Sequence, residues 1–331
     1  MGIDVTDLRA AIARHGPVVR VVIAALRGSS PREVGAAMLV WEGGQSGTIG
    51  GGALEFAAAE AARMQLRSGA ERLQTTHALG PDLGQCCGGS VTLWSELFDE
   101  QRLADIDAPN TTEPNTIEPD INKTVFLRPL TPTLDGPPLS LRRQMGLARS
   151  QGQRPEPQLC SGWFLEPVHR AETPLWIWGA GHVGQALVDV MAPLPDLDIT
   201  WVDTAAARFP DHIPDRVTQL PAADPARLVG HCPENAHHLV LTYSHELDLA
   251  LCHAILQRGF AFAGLIGSAT KWARFRSRLA NLGHRPDQIA RITCPIGDPG
   301  LGKHPQMIAV GVASALLRQT ATDELKKDRR A

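Results

Sequence analysis

The spacing of apolar residues changes along the chain, and the change divides it in two. From Leu175 onward, short apolar runs alternate with stretches whose apolar positions fall three and four apart. Leu175–Trp178 is a strand-like run, Val183, Ala186, Leu187, Val190 and Met191 follow at helical spacing, and Ile199-Thr-Trp-Val202 is a second β-branched run. The alternation continues with a strand at His238–Tyr243, a helix at Leu247–Gln257, a strand at Phe260–Ile266 and a helix at Trp272–Leu282. A last strand at Ile292–Pro295 precedes a helix at Gln306–Leu317. Strands that alternate with helices predict a doubly wound parallel sheet, with ligands at the C-terminal ends of its strands.

Before Leu175 the pattern is less regular and richer in glycine. It predicts a helix at Asp7–His15 capped by Thr6 or Asp4, a strand at Val18–Leu26, and a turn at Arg27-Gly-Ser-Ser-Pro-Arg32. A strand at Ala37–Trp41 closes on a Gly43-Gly44 hairpin, and Gly47–Glu55 runs into an alanine-rich helix, Phe56–Arg67. Ser90–Trp94, Val125–Leu130 and Leu159–Pro167 have strand character. Residues 100–122 are acidic and rich in Pro, Asn and Thr, which predicts a solvated loop, and 131–157 read as a variable loop or loose hairpin. The expected organisation is a smaller N-terminal α+β domain over 1–170 with loop insertions at 100–122 and 131–157. A Rossmann-type α/β domain follows over 171–318, and a charged, frayed tail over 319–331.

Composition narrows the classes. The chain has 331 residues, 43% hydrophobic, enough for two cores, and a net charge of −3 with the signs interspersed. No basic face points to nucleic acid. The longest apolar runs are too short to span a bilayer, and the N-terminal stretch lacks a long apolar segment, so no membrane role and a cytoplasmic location are expected. Six cysteines in a chain of this length do not make a disulfide scaffold and suit reduced thiols.

Four places carry candidate chemistry. Gly179-Ala-Gly181-His-Val-Gly184 stands between a strand and a helix, and Asp203 ends the next strand, 24 residues after Gly179. That is the dinucleotide-binding fingerprint in context: Gly179 for the tight turn, Gly181 for close approach of a phosphate, Gly184 for helix packing, and Asp203 for a ribose hydroxyl. The helix N-terminus at His182 presents free N–H groups to an anion. Gly50-Gly51-Gly52, ahead of a helix with Glu55 in its first turn, is either an anion-binding nest or only a permissive loop. Cys86-Cys87-Gly88-Gly89 offers paired thiols outside any apolar run, with Cys87 the stronger candidate because the glycines follow it directly. No C-x-x-C pair supports zinc. Finally, His245 with Asp248, and Ser268 with Lys271, follow strands, either as chemistry or as helix caps. The loop Gly297–His304 has the spacing of a P-loop but places His304 where Mg²⁺ needs a hydroxyl, which excludes a nucleotide triphosphatase.

Taken together and in order, GSSPREVGAAMLV, GTIGGGALE, LGQCCGG, WIWGAGHVG and AGLIGSATK resemble the xanthine dehydrogenase accessory proteins (XdhC/CoxI-like) over roughly residues 8–98 and 160–318. The resemblance implies an N-terminal module and a C-terminal Rossmann domain. It implies a chaperone, not a catalyst, for the molybdenum cofactor (molybdopterin) in purine catabolism. Such a chaperone holds the cofactor for sulfuration by a cysteine desulfurase and inserts it into xanthine dehydrogenase. Cys87, with Cys86 beside it, is then the cofactor-contacting thiol and the contact to molybdenum. Gly50–Gly52 and Gly179–Gly184 belong to the binding surface, and a homodimer is expected. One departure is Gly302-Lys303-His304-Pro305, where the family usually has G-K-[ST]-P, so a role resting on that hydroxyl does not carry over. The alternative reading of the Rossmann unit is an NAD(P)-dependent oxidoreductase, with Asp203 favouring NAD. A redox-sensing adaptor using Cys86-Cys87 is a third class.

Overall fold

The computed structural model describes residues 2–80, 88–107, 125–131, 136–151, 155–169, 171 and 173–328. The chain forms two compact units, Met1–Arg170 and Ala171–Ala331.

The described residues of the first unit form nine strands: β1 (Ile3–Asp4), β2 (Val18–Arg27), β3 (Ala37–Trp41), β4 (Gly44–Gly47), β5 (Arg72–Ala78), β6 (Ser90–Phe98), β7 (Val125–Pro129), β8 (Gln158–Cys160) and β9 (Trp163–His169). An antiparallel sheet runs β4-β3-β2-β6-β5, and a second, mixed sheet runs β1-β9-β7 with β8 on β9, β1 pairing in parallel. The first helix, Val5–His15, is capped by Asp4, whose carboxylate accepts the N–H groups of Thr6 and Asp7. Helix Gly52–Ser68 covers one face of the five-stranded sheet: Leu54, Ala58 and Ala62 pack on Val19, Val21, Met38 and Leu93.

The opposite face meets the second sheet through Val22, Ala24, Trp94 and Phe164, and through a buried chain of charges. Arg20 grips Glu166 with two hydrogen bonds of 3.0 and 2.8 Å. Arg128 reaches Glu166 at 2.5 Å and Glu96 at 2.6 Å, and Arg72 donates to Glu96 at 2.5 Å. The Arg128 guanidinium lies 4.2 Å from the Phe126 ring and 4.9 Å from Phe164. Such a network is tolerable in a core because every charge meets an opposite one in good geometry.

Two expectations fail here and one strand was not anticipated, for a common reason, the capture of polar segments by neighbours distant in sequence. Within the predicted 100–122 loop, Glu100–Asp107 is a helix, its N-terminus capped by Asp99 accepting the Arg102 N–H at 2.9 Å. Leu103 and Ile106 bury themselves against Ile3, Leu8 and Phe98. Within 131–157, Leu139–Gln151 is a helix anchored by the fully buried Leu141 on Leu165. Strand β5 has no apolar alternation and forms as an exposed edge because β6 offers it a complete antiparallel ladder.

The second unit is a six-stranded parallel sheet: β10 (Thr173–Trp178), β11 (Leu197–Asp203), β12 (Val217–Pro221), β13 (His237–Val240), β14 (Phe262–Leu265) and β15 (Ile292–Thr293), in the order β12-β11-β10-β13-β14-β15. In chain order that is 3-2-1-4-5-6, the Rossmann order, with its topological switch between β10 and β13. Helices His182–Met191 and Pro305–Asp328 cover one face through Leu187, Val188, Met191, Ala309, Val312 and Leu316. Helices His245–Arg258 and Ala269–Asn281 cover the other through Leu251, Ile255, Phe275 and Leu279. The last helix runs on to Asp328, so the first ten residues of the predicted frayed tail are helical. Among the described residues, no helix is long and apolar enough to cross a membrane.

Candidate functional site

The switch point of the second unit is where β10 and β13 part, and the Gly179–Gly184 loop fills it. Trp201 fixes this loop by donating its indole N–H to the Gly179 carbonyl at 3.0 Å, and the Gly179 N–H reaches Val202 at 2.8 Å. Two of the three glycines answer to the fold. Gly179 has φ +123°, and a Cβ there would stand 2.5 Å from the Leu241 carbonyl oxygen. A Cβ on Gly184 would stand 2.0 Å from the Gly179 oxygen, so glycine lets the helix close on the strand. Gly181 answers to neither demand. Its φ is −76°, open to any residue, and a Cβ built on it meets no atom within 4 Å. Gly181 and His182 are exposed at the start of helix His182–Met191, where unpaired N–H groups and the dipole favour an anion.

Asp203 ends β11 beside this loop, but its carboxylate turns inward. Oδ2 accepts the Ala180 N–H at 2.6 Å; Oδ1 accepts the Thr204 N–H at 2.6 Å and the Thr204 hydroxyl at 3.1 Å. Arg208 ion-pairs with it at 2.6 Å. Burial pushes the carboxyl up, but the donors of Ala180, Thr204 and Arg208 outweigh that and hold it below the usual range. The carboxylate expected to meet a ribose is thus buried and braces the glycine loop.

The next two strand ends form a second polar group. Asp248, fully buried, accepts the Thr242 N–H at 3.0 Å and hydroxyl at 2.7 Å, and pairs with Lys271 at 2.6 Å. Lys271 also donates to the Ile266 carbonyl at 2.8 Å. His245 stands edge-on to Phe275 with ring centroids 6.4 Å apart, while the Asp248 carboxylate is turned to Thr242 and Lys271. Ser268 caps its helix, its hydroxyl accepting the Lys271 N–H at 3.2 Å, just as Ser244 caps the preceding helix. Burial pushes two thiols of this unit up, Cys232 to about 12 and Cys294 to about 11, away from the thiolate form.

In the first unit, three motif loops converge. Gly89 packs against the turn after β2, where a Cβ would stand 2.3 Å from the Ser29 oxygen and 2.6 Å from the Arg27 oxygen. Gly50 abuts the same turn, its φ +123° and its Cβ position 2.7 Å from the Pro31 ring. The glycine nest is filled from within. Glu55 accepts the N–H groups of Ile49 and Gly51, each at 3.0 Å, the Thr48 hydroxyl at 2.5 Å and the Gln45 amide at 3.2 Å. Burial raises the Glu55 carboxyl, but these donors together hold it below its usual range. Gly51 therefore already holds an anion, and Gly52 starts the helix, so Gly50–Gly52 is not an open nest. The Ser30 hydroxyl is buried at this junction without a hydrogen-bond partner among the described residues. Gly88 repeats the Gly181 situation, since a Cβ there meets nothing within 4 Å. Cys86 and Cys87 lie outside the described residues. Among the described residues, no group of three or more His, Cys, Asp or Glu side chains is arranged to hold a metal ion.

Residues 11–77 match the model of the XdhC and CoxI family, and residues 175–316 match that of the XdhC Rossmann domain. The chain belongs to the XdhC family. Both matched regions contain the glycine loops described above, and the Rossmann match spans the whole switch-point crevice. The uncharacterized protein YqeB of Escherichia coli (strain K12) is 28% identical over 152 residues, which are 46% of this chain and 28% of YqeB; this XdhC-family chain thus spans about a quarter of that relative's length. The crystal structure of a xanthine dehydrogenase from Bacillus halodurans superposes with a TM-score of 0.64 at 18% identity, covering 97% of this chain and 96% of that one. At that identity the likeness is one of fold.

Sequence reasoning found the glycine loops, Asp203 and Ser268. It missed Arg208, Tyr243 and the buried Arg20–Glu166–Arg128–Glu96 chain. A charged residue on a strand is the only trace the chain leaves in sequence, and Arg208 follows Asp203 closely enough to have been noticed.

Proposed function

We propose that this XdhC-family protein is an accessory protein that binds molybdenum cofactor, holds it for sulfuration by a cysteine desulfurase and delivers it to a xanthine dehydrogenase. The observation that carries the reading is Gly181. A glycine that neither backbone nor packing requires, with open space where its Cβ would stand, heads a helix at the switch point of a Rossmann sheet. That cradle fits the phosphate tail of a pterin cofactor. Gly88 fits the same way, and Cys87 next to it would bring soft sulfur to molybdenum. When bound, the cofactor supplies the redox chemistry of the enzyme that receives it. This chain's own part is to seat the phosphate, offer a thiol and shelter the centre. The engagement of Asp203 with the loop backbone and of Asp248 with Lys271 suits a holder more than a proton-transfer catalyst. A homodimer in the cytoplasm completes the proposal.

Anaerobic purification followed by mass spectrometry and metal analysis tests it. Pterin and molybdenum should co-purify in near-equal amounts with the chain and fall in Gly181→Ala and Cys87→Ala. Unchanged loading and unchanged reconstitution of the enzyme in both variants would overturn it. The second reading, an NAD(P)-dependent oxidoreductase, draws on the 3-2-1-4-5-6 strand order. Turnover of a carbonyl substrate with NADH would promote it.

A further inference from the structure

Arg208 has no part in the reading above, yet it occupies the place that decides what the outer end of the crevice accepts. It sits in a short turn, Ala206–Arg208, held down by the buried Phe209 edge-on to Trp201 at 5.2 Å. In a dinucleotide fold the acid at the end of the second strand receives the ribose hydroxyls. Here that acid is Asp203, and an ionised carboxylate has only about four acceptor sites. Oδ2 holds the Ala180 N–H, Oδ1 holds the Thr204 N–H and hydroxyl and faces Arg208, and the carboxylate is only 3% exposed. A ribose diol meets a carboxylate that is buried and turned into the loop.

Arg208 is in the reverse condition. Its Nε faces Asp203, its guanidinium lies 4.2 Å over the ring of Tyr243, and its side chain remains 35% exposed. Its terminal amino groups have no ion pair or hydrogen bond among the described residues. The guanidinium is thus held on one edge and one face with its donor fork turned outward, and Tyr243, 65% exposed, forms an aromatic platform beside it. A planar fork fixed in advance is the arrangement that reads a phosphate through paired hydrogen bonds.

The geometry points to Arg208 as the specificity-determining residue of the crevice: it takes a nucleotide whose ribose carries a phosphomonoester in preference to one with a free ribose diol. Tyr243 keeps the guanidinium flat, and Asp203 aims it. The inference rests on the second reading above, in which the Gly179–Gly184 loop seats a nucleotide phosphate and not a pterin, and it names what lies at the other end of that ligand.

Calorimetric titration of the full chain with NADP⁺ and NAD⁺ tests it, with thermal melting as a control for folding. NADP⁺ should bind at least about tenfold more tightly than NAD⁺, the worth of one charge-assisted bidentate contact. Arg208→Ala should abolish that ratio, and Arg208→Lys should keep part of it. Equal affinities, a preference for NAD⁺, a ratio that survives Arg208→Ala, or binding of neither dinucleotide would each overturn the inference. Competition separates the sources of phosphate: 2′,5′-ADP should displace NADP⁺ far better than inorganic phosphate. Equal displacement would overturn the ribose part. Gly181→Ala should weaken both dinucleotides alike and leave their ratio unchanged. If it weakens neither while Arg208→Ala still erases the ratio, the phosphate-seat reading fails and the role of Arg208 stands.

Discussion

The carboxylate of Asp203 holds the backbone N–H of Ala180 at 2.6 Å, tying the end of β11 to the middle of the glycine loop on β10. This one contact converts an expected ligand group into a brace for the loop. The residues left facing outward are therefore Gly181, His182 and Arg208.

The glycines of this loop should separate cleanly on substitution. Gly184→Ala forces a methyl to within 2.0 Å of the Gly179 oxygen and should cost about 1–3 kcal/mol or more. Gly181→Ala meets nothing and should leave stability within about 0.5 kcal/mol. Urea titration of the two variants checks this, and a destabilised Gly181→Ala would show that the open space is needed by the fold and not by a ligand.

Glu166 is fully buried between Arg20 and Arg128. Glu166→Gln takes the counter-charge from Arg20 and leaves Arg128 only Glu96, and should destabilise the first unit by about 3–5 kcal/mol. Burial pushes the Glu166 carboxyl up, but Arg20 and Arg128 prevail and hold it below its ordinary 4.5. Its contribution is therefore complete above pH 4.5 and is lost as pH falls through the depressed value. Denaturation midpoints measured from pH 5 downward should fall for the parent chain and be flatter for the variant.

His238 should begin the same acid-side decline at a higher pH. It is fully buried and accepts the Trp178 indole N–H at 3.2 Å, and burial first, then His237, lowers it from 6.5 to about 4. The unfolded chain takes up a proton between those values and the folded chain does not. Stability of the Rossmann unit is thus whole above pH 6.5 and declines toward pH 4, by up to about 3 kcal/mol. His238→Phe should remove this slope, while costing about 1–3 kcal/mol at every pH because Trp178 loses its acceptor. A slope unchanged in the variant would reassign it to another group.

Glu55 closes the glycine loop ahead of helix Gly52–Ser68 by accepting the N–H groups of Ile49 and Gly51. Glu55→Ala should speed amide exchange at these two residues roughly tenfold, equivalent to about 1.4 kcal/mol of local opening, with the sheet amides of β2 unaffected. Hydrogen-exchange mass spectrometry over residues 45–56 reads this directly.

What was legible in the chain was whatever neighbouring residues decide between themselves. Helical and strand periods from Leu175 on, the caps at Asp4 and Ser268, the turn glycines at Gly179 and Gly184 and the fingerprint ending at Asp203 all follow from local sterics and hydrogen bonding. They were enough for the fold of the second unit and for the family. What only the tertiary structure decided is which polar groups meet. Arg20, Glu96, Arg128 and Glu166 read as surface charges until two sheets close over them. Leu103, Ile106 and Leu141 make helices of polar segments because distant apolar surfaces receive them. Asp203 and Glu55 had the right identities for ligand contacts, but a carboxylate bonds whichever donors the fold brings nearest. In both cases those donors are backbone N–H groups of the glycine loops themselves. Partner choice depends on three-dimensional proximity, which local periodicity does not encode.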